Sequence, residues 1–174
     1  MSQLRMRRVD LNRLPDLPRL PPGFSLCELQ DGELESLAAL LRTAFDDESW
    51  TPERVHREFV SDPAVKNTFL ITWEGVPVAT ASVQIPDASP EIGYLHWVAA
   101  DPTHRGKRLG YIVSLAVLHE LARHGCRDAA LLTDDHRLPA IKTYQNLGFV
   151  PEYSDESHPA RWEAVAARLS GGGA

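Results

Sequence analysis

The order of residues in this chain predicts an α/β fold (α+β by some schemes), a mixed twisted sheet flanked by helices. Three observations carry that reading. Two runs rich in Val, Ile, Thr and aromatics, Lys66–Trp73 and Val76–Ile85, flank Glu74-Gly75 and read as a hairpin. A third strand, Ile92–Ala99, runs into a turn of glycines and arginines. That turn opens a helix over Leu109–His124, and a short apolar strand follows at Asp128–Thr133. A helical crossover between two strands makes them parallel neighbours.

Taken in order, residues 1–23 read as a basic, proline-rich arm. It holds an edge strand near Met6–Leu11 and an extended linker carrying Pro15, Pro18, Pro21 and Pro22. Residues 24–170 read as a single domain. Phe24–Gln30 is a strand. Asp31 is an N-cap for a helix over Glu33–Phe45, with Leu34, Leu37, Ala38, Leu41 and Phe45 on one face. Thr51-Pro52 starts a second helix that reaches Val60, with proline at the first helical position. Pro77 fits only near a strand start or at an edge. The Leu109–His124 helix is apolar nearly all round, so it is covered on more than one side, and Gly125 ends it. Leu138–Leu147 is a shorter helix with Pro139 in its first turn and Gly148 at its end. Phe149–Tyr153 is a strand, Pro159–Leu169 has a helical pattern, and Gly171–Gly173 is a frayed tail.

The chain has 174 residues, 43% of them apolar and 24% charged, as expected of one ordinary globular domain. Its net charge of −6 argues against nucleic acid as the main partner, although Arg5, Arg7, Arg8, Arg13 and Arg19 concentrate cations at the start. Two cysteines, Cys27 and Cys126, make no disulfide framework and suit a reducing cytoplasm. No apolar run approaches a membrane span, and M-S-Q-L-R-M-R-R is no leader sequence. No H-E-x-x-H or paired-cysteine spacing is present, so no metal is expected.

Chemistry concentrates at Arg105-Gly106-Lys107-Arg108-Leu109-Gly110. The first amides of a helix lack intrahelical partners and sit at the positive end of its dipole. Glycines let backbone come close to a bulky anion, and three cations add attraction. A basic surface turn is the bland alternative. A Walker loop is absent, and the glycines do not fit a dinucleotide fingerprint.

On these residues the segment resembles the GNAT superfamily of acyl-CoA-dependent N-acetyltransferases. The family signature at this turn is Gln/Arg-x-x-Gly-x-Gly/Ala. Arg105 takes its first position and Gly110 its last, while Arg108 replaces the middle glycine. The turn needs that residue's N–H more than a missing side chain, so anion binding survives if φ at Arg108 stays negative. The resemblance implies a GNAT acyl-CoA N-acyltransferase fold and acetyl-CoA as acyl donor. It assigns Val98, Ala99 and Ala100, on what looks like the family's fourth strand, to the pantetheine arm. Arg105, Gly106, Lys107, Arg108, Leu109 and Gly110 are assigned to the pyrophosphate. Ala140 opens a segment similar to the family's A-x-x-x-Y-x-x-x-G-F, in which Tyr144 is the general acid for the departing thiolate. Where the family often has asparagine seven residues before this tyrosine, the chain has Arg137. The family also ends on a strand where this chain has a helical pattern.

A base is needed too, since an alkyl amine with a pKa of about 10 is protonated at neutral pH. Tyr94, His96 and Val98 share one strand face by period two, and His96 titrates in the useful range. It is either the base or a satisfied sheet histidine, with Glu91, Asp134 or a water string as alternatives. Asp46-Asp47-Glu48-Ser49-Trp50 corresponds to the family's acceptor loop. It either attracts and covers a cationic amine or is a solvated turn. The implied function is acetyl transfer to a primary amine in a ternary complex. The alternatives are another acyl group, a protein acceptor, or a non-catalytic coenzyme A sensor. Expected partners are a small amine or peptide acceptor and a second copy of the chain, with neither membrane nor nucleic acid.

Overall fold

The computed structural model describes residues 2–171, so the tail expected over Gly171–Gly173 lies, beyond Gly171, outside the described residues. The strands are β1 (Leu4–Arg8), β2 (Phe24–Glu28), β3 (Val65–Trp73), β4 (Val76–Gln84), β5 (Ile92–Ala100), β6 (Asp128–Thr133) and β7 (Val150–Glu152). The helices are α1 (Leu34–Phe45), α2 (Pro52–Val55), α3 (Leu109–Arg123), α4 (Leu138–Asn146) and α5 (His158–Gly171). A π-helical turn, His56–Val60, continues α2, and a 3-10 turn, Asp31–Glu33, precedes α1. Gln30, rather than Asp31, is the cap of that turn, and Glu33 Oε2 accepts from its amide at 2.8 Å. Among the described residues no helix is long and apolar enough to cross a membrane.

All seven strands lie in one sheet, in the order β2-β3-β4-β5-β6-β1-β7. Among the described residues only β5 and β6 pair in parallel, as the crossover helix requires. Glu74 and Gly75 both have positive φ (50° and 83°), the geometry of a two-residue hairpin turn whose twist matches its strands. Pro77 is the second residue of the interior strand β4, beside a register shift at Ile71/Thr72, where its missing N–H is tolerated.

The first strand departs from expectation. It spans Leu4–Arg8 and is not an edge: it pairs antiparallel with β6 on one side and β7 on the other. Leu4 and Met6 are fully buried. Alternation explains this. Leu4 and Met6 point into the core, while Arg5 and Arg7 point the other way, to Glu152 and Asp128.

Core forms on both faces of the sheet. The larger cluster joins α3, α4 and α5 (Leu115, Leu118, Ile141, Trp162) to Leu4, Met6, Val83 and Leu131. The smaller joins Leu37, Leu41, Trp50, Val55 and Phe59 to Leu70 and Ala99. Gly93 lets α3 close onto β5, because a Cβ there would sit 2.2 Å from a methyl of the buried Leu121.

Candidate active site

Pairing between β5 and β6 stops early. Ile92, Gly93 and Tyr94 face Asp128, Ala129 and Ala130, and beyond Tyr94 the parallel strands have no register together. The rest of β5, Leu95 to Ala100, therefore lacks a β6 partner, and a cavity of about 530 Å³ lies in the gap. A β-bulge shapes this wall. Ser82 faces His96 and Thr80 faces Ala99, so three steps on β5 match two on β4. Trp97 takes up the excess with φ +46°, a left-handed conformation that costs a non-glycine residue about 1–3 kcal/mol.

The bulge overturns the period-two expectation. Val98 packs with the α3 and α4 core, whereas Trp97 and Ala99 pack with the α1 core. His96 and Val98 therefore do not share a face. Val98, Ala99 and Ala100 line the cavity and His96 does not. His96 is held neutral: burial lowers its pKa from 6.5, against the smaller opposing pull of Asp62 and Glu58. Its ring lies 4.9 Å from that of Trp97.

At one end of the cavity is the turn. Arg105, Gly106, Arg108, Leu109 and Gly110 line it, while Lys107 does not. Arg108 is the N-cap of α3 with φ +57°, so the negative φ on which the sequence reading makes anion binding through this residue's N–H conditional is not found. The backbone keeps the left-handed shape that favours glycine, and Arg108 adopts it with its guanidinium 4.4 Å over the Tyr111 ring. The first bond of the helix runs from Ile112 N–H to Arg108 O (3.0 Å), and the N-cap side chain makes no capping bond. The amides of Leu109, Gly110 and Tyr111 precede that bond, as an anion site needs.

At the other end α4 contributes Ala140, Thr143, Tyr144 and Asn146. Tyr144 is 3% exposed, and burial pushes its pKa up to about 12, with the charge of Arg137 as a smaller opposing influence. The phenol is thus fully protonated at neutral pH. Arg8 fixes the end of this helix by donating to Leu147 O and, at 2.9 Å, to Arg13 O. Arg137 donates from Nη2 to Val98 O at 3.3 Å, with its guanidinium 5.1 Å over the Phe45 ring.

The acceptor-loop expectation changes in part. Trp50 is core, 1% exposed, with Arg54 stacked 3.8 Å over its ring, so it covers no ligand from outside. Asp47 is paired with Arg54 at 3.1 Å. Instead Thr43 and Ala44 of α1 reach the cavity, as do Pro102, His104 and Tyr111. Sequence reasoning missed these. A helical pattern shows which face is apolar, not which last-turn residues meet a gap in a distant sheet. Among the described residues no group of three or more His, Cys, Asp or Glu could hold a metal ion.

The two parallel strands part beyond Tyr94, and the N-terminus of α3 and the buried Tyr144 of α4 line the same cavity. The acetyltransferase (GNAT) family model matches residues 33–149, and the chain belongs to that family. It is 28% identical over 171 residues to a mycothiol acetyltransferase of Actinosynnema mirum, covering 94% of this chain and 54% of that protein. It is 34% identical over 157 residues to a mycothiol acetyltransferase of Thermobispora bispora, covering 83% and 52%. The chain thus spans about half the length of these curated relatives. A solved GCN5-related N-acetyltransferase from Sphaerobacter thermophilus shares the fold, with a TM-score of 0.67 at 20% identity, covering 87% of this chain and 50% of that one.

Proposed function

We propose that this protein transfers an acetyl group from acetyl-CoA to a primary amine by direct attack in a ternary complex, in a reducing cytoplasm. The observation that carries the reading is one continuous cavity whose lining runs from the first amides of α3 to Tyr144. Curated relatives named as acetyltransferases support it.

Leu109, Gly110 and Tyr111 amides, with Arg105 and Arg108, hold the diphosphate. The free edge of β5 at Val98–Ala100 pairs with the pantetheine amides. As the amine nitrogen bonds to the thioester carbon and the carbon–sulfur bond breaks, Tyr144 hands its proton to the departing sulfur. His96, which burial keeps neutral but which lies outside the cavity lining, takes the proton lost by the amine through a relayed water. A base of this kind works when deprotonated. The kcat at saturating amine therefore rises with pH through a pKa below 6.5, while kcat/KM also carries the titration of the free amine at about 10.

The test pairs calorimetry with release of free thiol. Acetyl-CoA is expected to bind, and Tyr144→Phe is expected to lower kcat by about 100-fold or more while the dissociation constant moves less than about threefold. A flat calorimetric trace for the unaltered protein, or full turnover by the phenylalanine variant, rejects the reading.

A further inference from the structure

Charge in the cavity is unevenly explained. Its lining holds three arginines, Arg105, Arg108 and Arg137, and one carboxylate, Asp101. Asp101 is engaged: its Oδ1 accepts from Thr103 N (2.8 Å) and Thr103 Oγ1 (2.7 Å), and His104 lies 3.9 Å from Oδ2. Arg105 and Arg108 belong to the turn and face a diphosphate on the reading above. Arg137 is at the other end, beside Tyr144, the tip of α1 and the bulged part of β5.

Among the described residues Arg137 forms no ion pair, although acids precede it in sequence. Asp135 is taken by Arg161 (Nε at 2.9 Å), and Asp134 faces Gln3 at 3.4 Å. Among the described residues the one hydrogen bond its guanidinium makes is to Val98 O, at 3.3 Å. A guanidinium carries five donors in a planar fork shaped for a carboxylate, and a single long bond to a carbonyl leaves most of them free for a ligand that enters the cavity.

We propose that Arg137 binds a substrate carboxylate at the transfer end of the cavity, so that the preferred acyl group or the preferred amine carries an acid function. This rests on the donor reading above and adds to it a substrate class. A carboxylate is a stronger acceptor than an amide carbonyl. It draws the guanidinium off Val98 O and returns that carbonyl to the strand edge assigned to pantetheine. Fixing the carboxylate also fixes the atom bonded to it, either the acyl chain or the carbon that bears the amine, near Tyr144.

Two sources of the carboxylate are separated by two arms of one experiment. The first compares succinyl-CoA with acetyl-CoA as donor. The second uses acetyl-CoA with amino acids, each paired with its decarboxylated amine. In one arm the full-length protein is expected to prefer the carboxylated member by about 10- to 100-fold in kcat/KM, the worth of a charged hydrogen-bond pair. Arg137→Gln is expected to bring that ratio near unity, and Arg137→Lys to keep part of it. The ratio is read within each variant, so a general loss of binding or stability cancels. Collapse in the donor arm places the acid on the acyl group, and collapse in the acceptor arm places it on the amine. Ratios unmoved by Arg137→Gln in both arms, with acetyl-CoA still binding, overturn the proposal and spare the donor reading. No binding of acetyl-CoA to the unaltered protein removes the donor reading and this one with it.

Discussion

Arg108 stands where the resemblance places a glycine, and its φ of +57° shows what the glycine is for. The chain turns left-handed there, immediately before the first amides of α3. Arginine does so at a strain of about 1 kcal/mol or more, with its side chain lying over Tyr111. Arg108→Gly is therefore expected to raise the free energy of unfolding by about 0.5–1 kcal/mol. The same change is expected to weaken acetyl-CoA binding through the lost cation. Denaturant midpoints and calorimetry read the two effects separately, and a less stable glycine variant refutes the strain argument. Trp97 is the second left-handed residue of the site. Nothing in its neighbourhood of sequence announces a bulge, because the extra residue matters only against the register of β4.

At the level of elements, the first strand matters most. The run that looks like a detachable basic arm is held on both sides. Arg7 meets Asp128 at 2.6 Å and Glu152 at 3.3 Å. The final helix clamps it as well. Arg161 Nη1 donates to Ser2 O (2.8 Å), Ser2 Oγ donates to Asp155 (2.8 Å), and His158 Nε2 is 3.1 Å from Gln3 O. Burying Leu4 and Met6 alone contributes about 3–6 kcal/mol, against a total stability for such a domain of about 5–15 kcal/mol. Deleting residues 1–19 is expected to abolish cooperative thermal unfolding and to raise binding of a hydrophobic dye. A truncated protein that melts as the full chain does contradicts this. Arg8, at the end of the same strand, holds the C-terminus of α4, so loss of the strand also loosens the helix that carries Tyr144.

Across the whole molecule, acid should unfasten these clamps. Arg7 beside Asp128, Arg161 beside Asp135, and the Ser157 and Ser2 donors around Asp155 hold all three carboxyls below the ordinary aspartate range. A depressed folded-state pKa means that the unfolded chain takes up protons first as pH falls. Their contribution is complete above the unfolded aspartate value of about 4 and is lost as pH drops through the lower folded values. Unfolding free energy measured from pH 6 to pH 2 is expected to fall below about pH 4. Asp128→Asn should flatten part of that fall, and an unchanged acid limb in this variant contradicts the assignment.

By itself the sequence determined the strands and helices from β2 onward, the turn that opens α3, and the A-x-x-x-Y-x-x-x-G-F segment with Tyr144. Hydrophobic period, proline and glycine placement and helix-end chemistry act over a few neighbouring residues, so they are written locally. Only the tertiary structure decided the rest. It made the basic arm an interior strand, since the partner that neutralises Arg7 is 121 residues away. It also set His96 and Val98 on opposite faces, turned Trp50 into core, and left Arg137 facing a cavity with no ion pair among the described residues. Those outcomes depend on register and on which distant side chains meet, and no local pattern encodes a meeting.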